Sequence, residues 1–303
     1  MNTEQLKSAL AGGNAPTLLD VRLGDDFEAA HIPGASNPRV FEVSFLEQVS
    51  QFIPDRSKAV VVYGFGGESK EAEVAAEKLT KAGFEHVAVF PGGLDAWRAE
   101  GGAVEGSDSP PAEPSPPEGK QQLDLAESRI EWVGRNLLNK HWGTLGIKAG
   151  HLEFEDGRLT GGEMTIDMNE IACTDLAESD LHDVLIAHLK DDDFFDVGRY
   201  PTAAFRINEA RAIPDSAASE PNIEIVGDLT LRGNTHPVTF SAVSGITPEG
   251  IPAAQAAFAF DRTRWGVIYG SGKFFRRLAG HLVSDMIELQ LRMVCQEAPA
   301  GRA

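Results

Sequence analysis

Cysteine is scarce in this chain. Only Cys173 and Cys295 occur among its 303 residues. Two thiols cannot build a framework of several disulfide bridges, and they cannot supply the four thiolates of a structural zinc site. We therefore interpret both cysteines as small apolar side chains that are buried in a core.

Long apolar runs and an excess of basic residues are also missing. No stretch reaches the roughly 18 uninterrupted apolar residues that a membrane-spanning helix requires. The N-terminal segment lacks the basic start and the apolar run of a secretory signal. The 27 Lys and Arg residues against 46 Asp and Glu residues give a formal net charge of -19, which repels nucleic acid and anionic membrane surfaces. We expect a soluble, cytoplasmic protein that does not bind nucleic acid.

A proline-rich segment divides the chain, which is long enough for two domains that each bury a core. Residues 106–121 read GSDSPPAEPSPPEGKQ and show no apolar periodicity, as is typical of a stiff, solvated linker. We predict a first domain over 1–103, a linker over 104–121, a second domain over 122–296 and a tail over 297–303.

The two halves differ in the period of their apolar residues. Before the linker, short β-branched runs such as TLLDVR, KAVVVYG and HVAVF alternate with helical stretches. This alternation predicts a parallel sheet covered by helices on both faces. After the linker, eight segments of period 2 are separated by Gly, Pro and Asp turns. They predict an antiparallel barrel or sandwich.

Four motifs in the first half resemble a single rhodanese domain. They are LLDVR at 18–22, HIPGA at 31–35, VVVYG at 60–64 and FPGGLDAW at 90–97. The resemblance implies a loop after VVVY whose first residue is a catalytic cysteine, held as a thiolate by backbone N–H groups at the start of a helix.

Glycine stands where that cysteine would be. The matching loop is Gly64, Phe65, Gly66, Gly67, Glu68 and Ser69. We predict that the loop is vestigial, that the domain is not a sulfurtransferase, and that it serves as a docking or regulatory module for a protein partner. The remaining glycines could still form an anion-binding nest.

The second half resembles the YceI-like family of lipid- or polyisoprenoid-binding proteins. The runs SRIEWVGRN, KHWGT and VGDLTLRGNTHPV carry the resemblance, together with HLKDDDFFDVGRYPTAAF at 188–205 and DRTRWGV at 261–267. The resemblance implies an eight-stranded, lipocalin-like barrel with a deep apolar cavity. Its ligand would be an isoprenoid-type lipid, either a polyprenyl chain or a quinone, and the protein would require no other cofactor.

Large apolar side chains in these segments are the candidate ligand contacts. We predict that Trp132, Trp142, Met168, Phe194, Phe195, Phe205, Phe240, Phe258, Trp265 and Phe274 line or close the cavity. Taken singly, such a residue is more often an ordinary core residue than a ligand contact, so the prediction applies to the set rather than to any one member.

Two histidines are weak candidates for metal binding. His141 in NKHWGT and His188 before the acidic triplet 191–193 lie in family-like motifs. Imidazole is a common ligand for zinc-type metals. Neither histidine belongs to a His-x-x-x-His pattern, so we predict no metal site.

Two other functions compete with a non-enzymatic lipid carrier. The barrel could be solid and act as a protein-interaction scaffold, because most apolar stripes are simply packed. Alternatively, the protein could transfer sulfur through Cys173 or Cys295, although both lie far in sequence from the Gly64 loop.

Overall fold

A computed structural model describes residues 1–107, 115–217, 219–278 and 281–297. The chain forms two compact units, Met1–Glu113 and Pro114–Ala303. Most of the 297–303 tail and the middle of the 104–121 segment lie outside the described residues. No helix in the described part of the chain is long and apolar enough to cross a membrane.

The first unit is an α/β layer structure. Its elements are α1 Thr3–Leu10, β1 Thr17–Asp20, α2 Gly24–Ala29, α3 Phe45–Phe52, β2 Ala59–Tyr63, α4 Glu71–Lys81, β3 His86–Val89 and α5 Gly93–Ala99. The three strands are parallel, in the order β1-β2-β3. Val60 and Val62 enter one core cluster, while Val61 and Tyr63 enter another. The sheet is therefore buried on both faces, as the apolar run VVVY predicts.

The second unit is an antiparallel barrel. Its elements are β4 Gly119–Gln122, β5 Arg129–Arg135, β6 Lys140–Glu155, β7 Arg158–Cys173, α6 His182–Lys190, β8 Thr202–Ala212, β9 Ile223–Leu231, β10 Asn234–Ile246, β11 Pro252–Asp261, a 3-10 helix Arg262–Trp265 and β12 Met286–Val294. Strands β5 to β12 pair in sequence, and β12 pairs back with β5. The short β4 adds to the half of β6 that β5 leaves free.

The predicted fold class, an α/β domain followed by an antiparallel lipocalin-like barrel, is confirmed. The eight segments of period 2 fall within strands β5 to β12, although the segment HLEFEDGRL covers only the end of β6, the turn and the start of β7. Helices α1 and α2 were not predicted. Both ends of the 104–121 segment belong to regular structure, because Glu105 pairs with His31 and Gly119–Gln122 is a strand.

A fully buried arginine holds one end of the barrel together. The Arg262 guanidinium donates to the backbone carbonyls of Val267 (2.6 Å), Tyr269 (2.7 Å) and Ser284 (2.9 Å). These carbonyls belong to the long connection between β11 and β12. Burial lowers the pKa of Arg262, and the charges of Asp285 and Asp261 oppose that shift. The guanidinium thus provides a hydrogen-bond donor for three carbonyls of this connection, which are buried or half-buried.

Candidate ligand-binding site

Alternating side chains fill the barrel with apolar groups. Strand β9 shows this most regularly, since every second residue is buried and the residues between are half-buried; the buried ones are Ile223, Ile225, Gly227, Leu229 and Leu231. The interior is not completely filled. It contains two cavities of about 60 Å³ and about 80 Å³.

The first cavity lies among residues of nearly every barrel strand, and its accessible surface is almost entirely carbon. Phe205 and Phe240 supply its aromatic surface, and Met164 and Met293 supply unbranched side chains. The remaining lining residues are Leu123, His151, Leu152, Leu159, Gly162, Glu163, Ile207, Ile225, Ala242, Ala254, Gln255, Ala256 and Leu291.

The second cavity is equally apolar and is covered partly by α6 and the loop that follows it. Leu189 of α6 faces it, together with Phe194 and Phe195. The remaining lining residues are Trp132, Gly134, Leu145, Ile166, Met168, Ile171, Ala203, Leu229, Leu231, Phe260, Arg262, Val283, Ser284, Ile287 and Leu289.

The two cavities follow each other along the barrel. On β7, Met164 lines the first cavity and Ile166 the second. On β12, Leu291 lines the first and Leu289 the second. Residues two apart on a strand face the same side and are separated by about 6.6 Å. An elongated apolar molecule aligned with the strands would therefore pass from one cavity into the other.

A layer of aromatic rings borders the first cavity. The Phe205 and Phe240 rings lie 5.8 Å apart, and Phe240 stacks on Phe258 at 4.1 Å between ring centroids. Gly227 makes this layer possible, because a Cβ at that position would lie 2.4 Å from the Phe205 ring.

The pairing of β10 with β11 ends beside this layer. Strands β10 and β11 pair only from Ala242–Ala256 to Ile246–Pro252, whereas β11 pairs with β12 along its length from Ala253 to Asp261. A groove of about 870 Å³ lies over the region where β10 and β11 separate, and both Phe240 and Phe258 line it. Phe240 lines both the first cavity and this groove.

Six of the ten residues predicted as ligand contacts line the two interior cavities, and a seventh lines the groove outside. Trp132, Met168, Phe194 and Phe195 line the second cavity. Phe205 and Phe240 line the first, and Phe258 lines the groove. Their role as ligand contacts stays a prediction.

Three predicted contact residues lie elsewhere among the described residues. Trp265 is fully buried in the barrel core, and its Nε1–H donates to the Leu229 carbonyl at 2.8 Å. Trp142 and Phe274 are 40% and 54% exposed. None of the three is among the residues that line the two interior cavities.

The two histidines predicted as weak metal candidates have different surroundings. His188 contacts the Tyr269 ring and lies 3.7 Å from Asp193. His141 lies with Cys173 and Asp175, and one ligand atom from each residue lies within 4.8 Å of the other two. Sequence reasoning missed this group, because only the pairing of β6 with β7 brings its members together.

Neither cysteine is poised as a nucleophile. The pKa of each thiol is raised to about 11, mainly because the thiol is buried. At Cys173 a hydrogen bond to Asp175 raises the pKa further. Both thiols are therefore protonated at neutral pH, and a protonated thiol is a poor nucleophile.

The loop at Gly64 is filled by a carboxylate from its own domain. Glu71, at the start of α4, accepts a hydrogen bond from the Phe65 N–H at 2.6 Å and another from the Ser69 hydroxyl. A Cβ at Gly64 would lie 2.0 Å from Glu71 Oε1. Burial raises the pKa of Glu71, but these hydrogen bonds outweigh it and the net shift is downward. Glu68 is part of the loop sequence, but the carboxylate that fills the loop is that of Glu71.

The fold and its interior define the class of protein: a lipocalin-like barrel with an apolar interior, joined to a rhodanese-like α/β domain. The model of the YceI-like domain matches residues 121–295, and the model of the rhodanese-like domain matches residues 2–100. The chain belongs to the YceI-like family.

Several known proteins are similar to parts of the chain. A UPF0312 protein of Pseudomonas paraeruginosa is 33% identical over 122 residues, which are 40% of this chain and 56% of that protein. The chain thus spans about half the length of this curated relative. The crystal structure of the Alr3790 protein from Anabaena sp. is 36% identical and has a TM-score of 0.32, covering 35% of this chain and 81% of that one. A polyisoprenoid binding domain from Saccharophagus degradans is 13% identical and has a TM-score of 0.44, covering 60% of this chain and all of that one.

Proposed function

We propose that the barrel binds one long apolar molecule, an isoprenoid-type lipid such as a polyprenyl chain or a quinone, and acts as a carrier. The observation that carries this proposal is the pair of consecutive, carbon-lined cavities inside the barrel. A molecule with polar groups along its length would lose hydrogen bonds to water there without gaining partners. A hydrocarbon chain loses none and gains roughly 0.8 kcal/mol for each buried methylene.

The binding requires the interior to adapt. Cavities of about 60 Å³ and 80 Å³ are too small for a whole polyprenyl chain. Met164, Met168 and Met293 border them, and unbranched thioether side chains change rotamer easily. We therefore expect the ligand to displace methionine and phenylalanine side chains and to join the two cavities into one channel.

Tryptophan fluorescence tests this proposal, because Trp132 lines the second cavity. Titration with a short-chain ubiquinone, which quenches indole emission, should give saturable quenching with one site per chain. Trp132→Phe should lose most of the quenching while still binding the quinone. Quenching that grows linearly without saturation would contradict a specific cavity site.

A solid-barrel scaffold is the second candidate for this domain. The small volume of the two cavities favours it. A protein that takes up neither quinones nor polyprenols would support the scaffold and exclude the carrier.

We propose that the rhodanese-like domain is not a sulfurtransferase and serves as a docking or regulatory module for a protein partner. The absence of cysteine from residues 1–107 and the Glu71 carboxylate in the Gly64 loop support this. A sulfur donor such as thiosulfate is an anion, so the carboxylate repels it from the loop. Thiosulfate:cyanide sulfurtransferase activity of the purified chain should not exceed the uncatalysed rate. Activity that disappears in Cys173→Ser or Cys295→Ser would contradict the proposal.

A further inference from the structure

The pairing of β6 with β7 gathers three side chains of different chemistry at one end of the barrel. Gly143 pairs with Cys173, and the Thr174 N–H donates to the Trp142 carbonyl at 2.8 Å, so the ladder continues past the end of β7. The antiparallel register places His141 opposite Asp175. Side chains two residues apart share a face of the sheet, so Cys173 lies on the same face as both.

Asp175 contacts both His141 and Cys173 through potential metal-ligand atoms. His141 Nδ1 lies 2.8 Å from Asp175 Oδ2, and the Cys173 thiol donates to Asp175 Oδ1 at 3.2 Å. Zinc binds nitrogen, oxygen and sulfur at about 2.0–2.3 Å, so ligand atoms around a tetrahedral ion lie about 3.3–3.7 Å apart. Ligand atoms that already lie within 4.8 Å of one another need only small side-chain rotations to reach that arrangement.

We propose that His141, Cys173 and Asp175 form a binding site for a divalent transition metal of the zinc type. Imidazole, thiolate and carboxylate are all zinc ligands, and a soft thiolate selects against magnesium and calcium. Three protein ligands leave a fourth coordination position open.

The surroundings of the site orient its ligands and give an ion access to it. The Trp142 N–H donates to Asp175 Oδ1 at 2.8 Å. Such hydrogen bonds hold metal ligands in place. The His141 side chain is 36% exposed, while that of Asp175 is 9% exposed and Cys173 is buried. An ion can thus enter from solvent on the histidine side.

Metal binding to the full chain tests the site directly. Zn²⁺ alone, titrated in competition with a chromophoric chelator, should bind one ion per chain. His141→Ala, Cys173→Ser and Asp175→Asn should each lower the affinity at least tenfold. Co²⁺ should give a tetrahedral visible spectrum with a thiolate-to-cobalt band that Cys173→Ser removes.

Two variants are matched controls. His182→Ala breaks another His–Asp pair, which joins His182 Nδ1 to Asp183 Oδ1 at 2.9 Å without a nearby cysteine. Cys295→Ser removes the other buried thiol. Both should bind Zn²⁺ and Co²⁺ like the unsubstituted protein. Equal affinities of the unsubstituted protein and His141→Ala, or a cobalt complex without the thiolate band, would overturn the proposal. The exposed His141 makes that variant usable even if Cys173→Ser fails to fold, which circular dichroism would show.

Discussion

The ring of Phe240 lies parallel to the ring of Phe258, with centroids 4.1 Å apart and planes 3° apart. The two residues belong to β10 and β11, in the stretch where these strands no longer pair with each other. Side-chain stacking therefore replaces backbone hydrogen bonds in this part of the barrel wall.

Phe240→Ala should open the wall. Truncation of a buried phenylalanine costs about 3–5 kcal/mol of unfolding free energy, and loss of the stack should also speed the release of a bound quinone. Urea unfolding and stopped-flow release measure the two effects. Phe274→Ala is the control, because Phe274 is 54% exposed. Equal release rates for both variants would show that the Phe240–Phe258 stack does not close a route to the interior.

Ala203→Phe should block ligand binding. Ala203 is buried on β8 and lines the second cavity, so a phenyl ring would fill space that the ligand needs. Overpacking usually costs about 1–3 kcal/mol of stability, and we expect quinone affinity to fall at least tenfold. The neighbouring Ala204 is exposed, so Ala204→Phe should leave affinity unchanged. A calorimetric titration compares the two, and full affinity in Ala203→Phe would place the ligand outside the second cavity.

Gly64→Cys alone should not create a sulfurtransferase. A Cβ at position 64 would lie 2.0 Å from Glu71 Oε1, so the new side chain and the carboxylate cannot occupy the loop together. Adding Glu71→Ala should free the space and remove the negative charge. Persulfide formation from thiosulfate, detected by mass spectrometry, should be faster in the double variant than in Gly64→Cys. Efficient persulfide formation by Gly64→Cys alone would show that Glu71 does not obstruct the loop.

Arg262→Met should destabilise the barrel strongly. The substitution keeps an unbranched side chain but leaves the carbonyls of Val267, Tyr269 and Ser284 without their donor. Each buried group left unsatisfied costs about 1–3 kcal/mol, so a loss of several kcal/mol is expected in urea unfolding. Arg264 is exposed, and Arg264→Met should change stability little. Similar midpoints for the two variants would contradict the structural role of Arg262.

The sequence predicted the barrel strands well because alternation is a local signal. In β9, Ile223, Ile225, Leu229 and Leu231 are all buried, as their spacing indicates. Aromatic character alone was a weaker guide to position. Trp142 and Phe274 are aromatic like Trp132, but Trp142 lies near the start of β6 and Phe274 lies in the connection between β11 and β12, and both are exposed.

The His141, Cys173 and Asp175 group could not be predicted from the sequence. If β6 and β7 paired regularly from the Glu155–Arg158 pair at the hairpin onward, His141 would lie opposite Ala172. Bulges in the β6–β7 ladder shift that register and bring Asp175 to His141 instead. The position of Glu71 was equally hidden, because its side chain reaches back from the first turn of α4 into the loop. Such contacts depend on tertiary geometry that local patterns do not encode.

Native mass spectrometry of the purified full-length chain tests the carrier proposal most directly, when it is followed by organic extraction of whatever is released. We predict one discrete apolar adduct per chain, either present on purification or acquired after incubation with quinones and polyprenols, and absent from Ala203→Phe under the same conditions. A chain that stays at its unliganded mass throughout would contradict the carrier function and favour a solid-barrel scaffold.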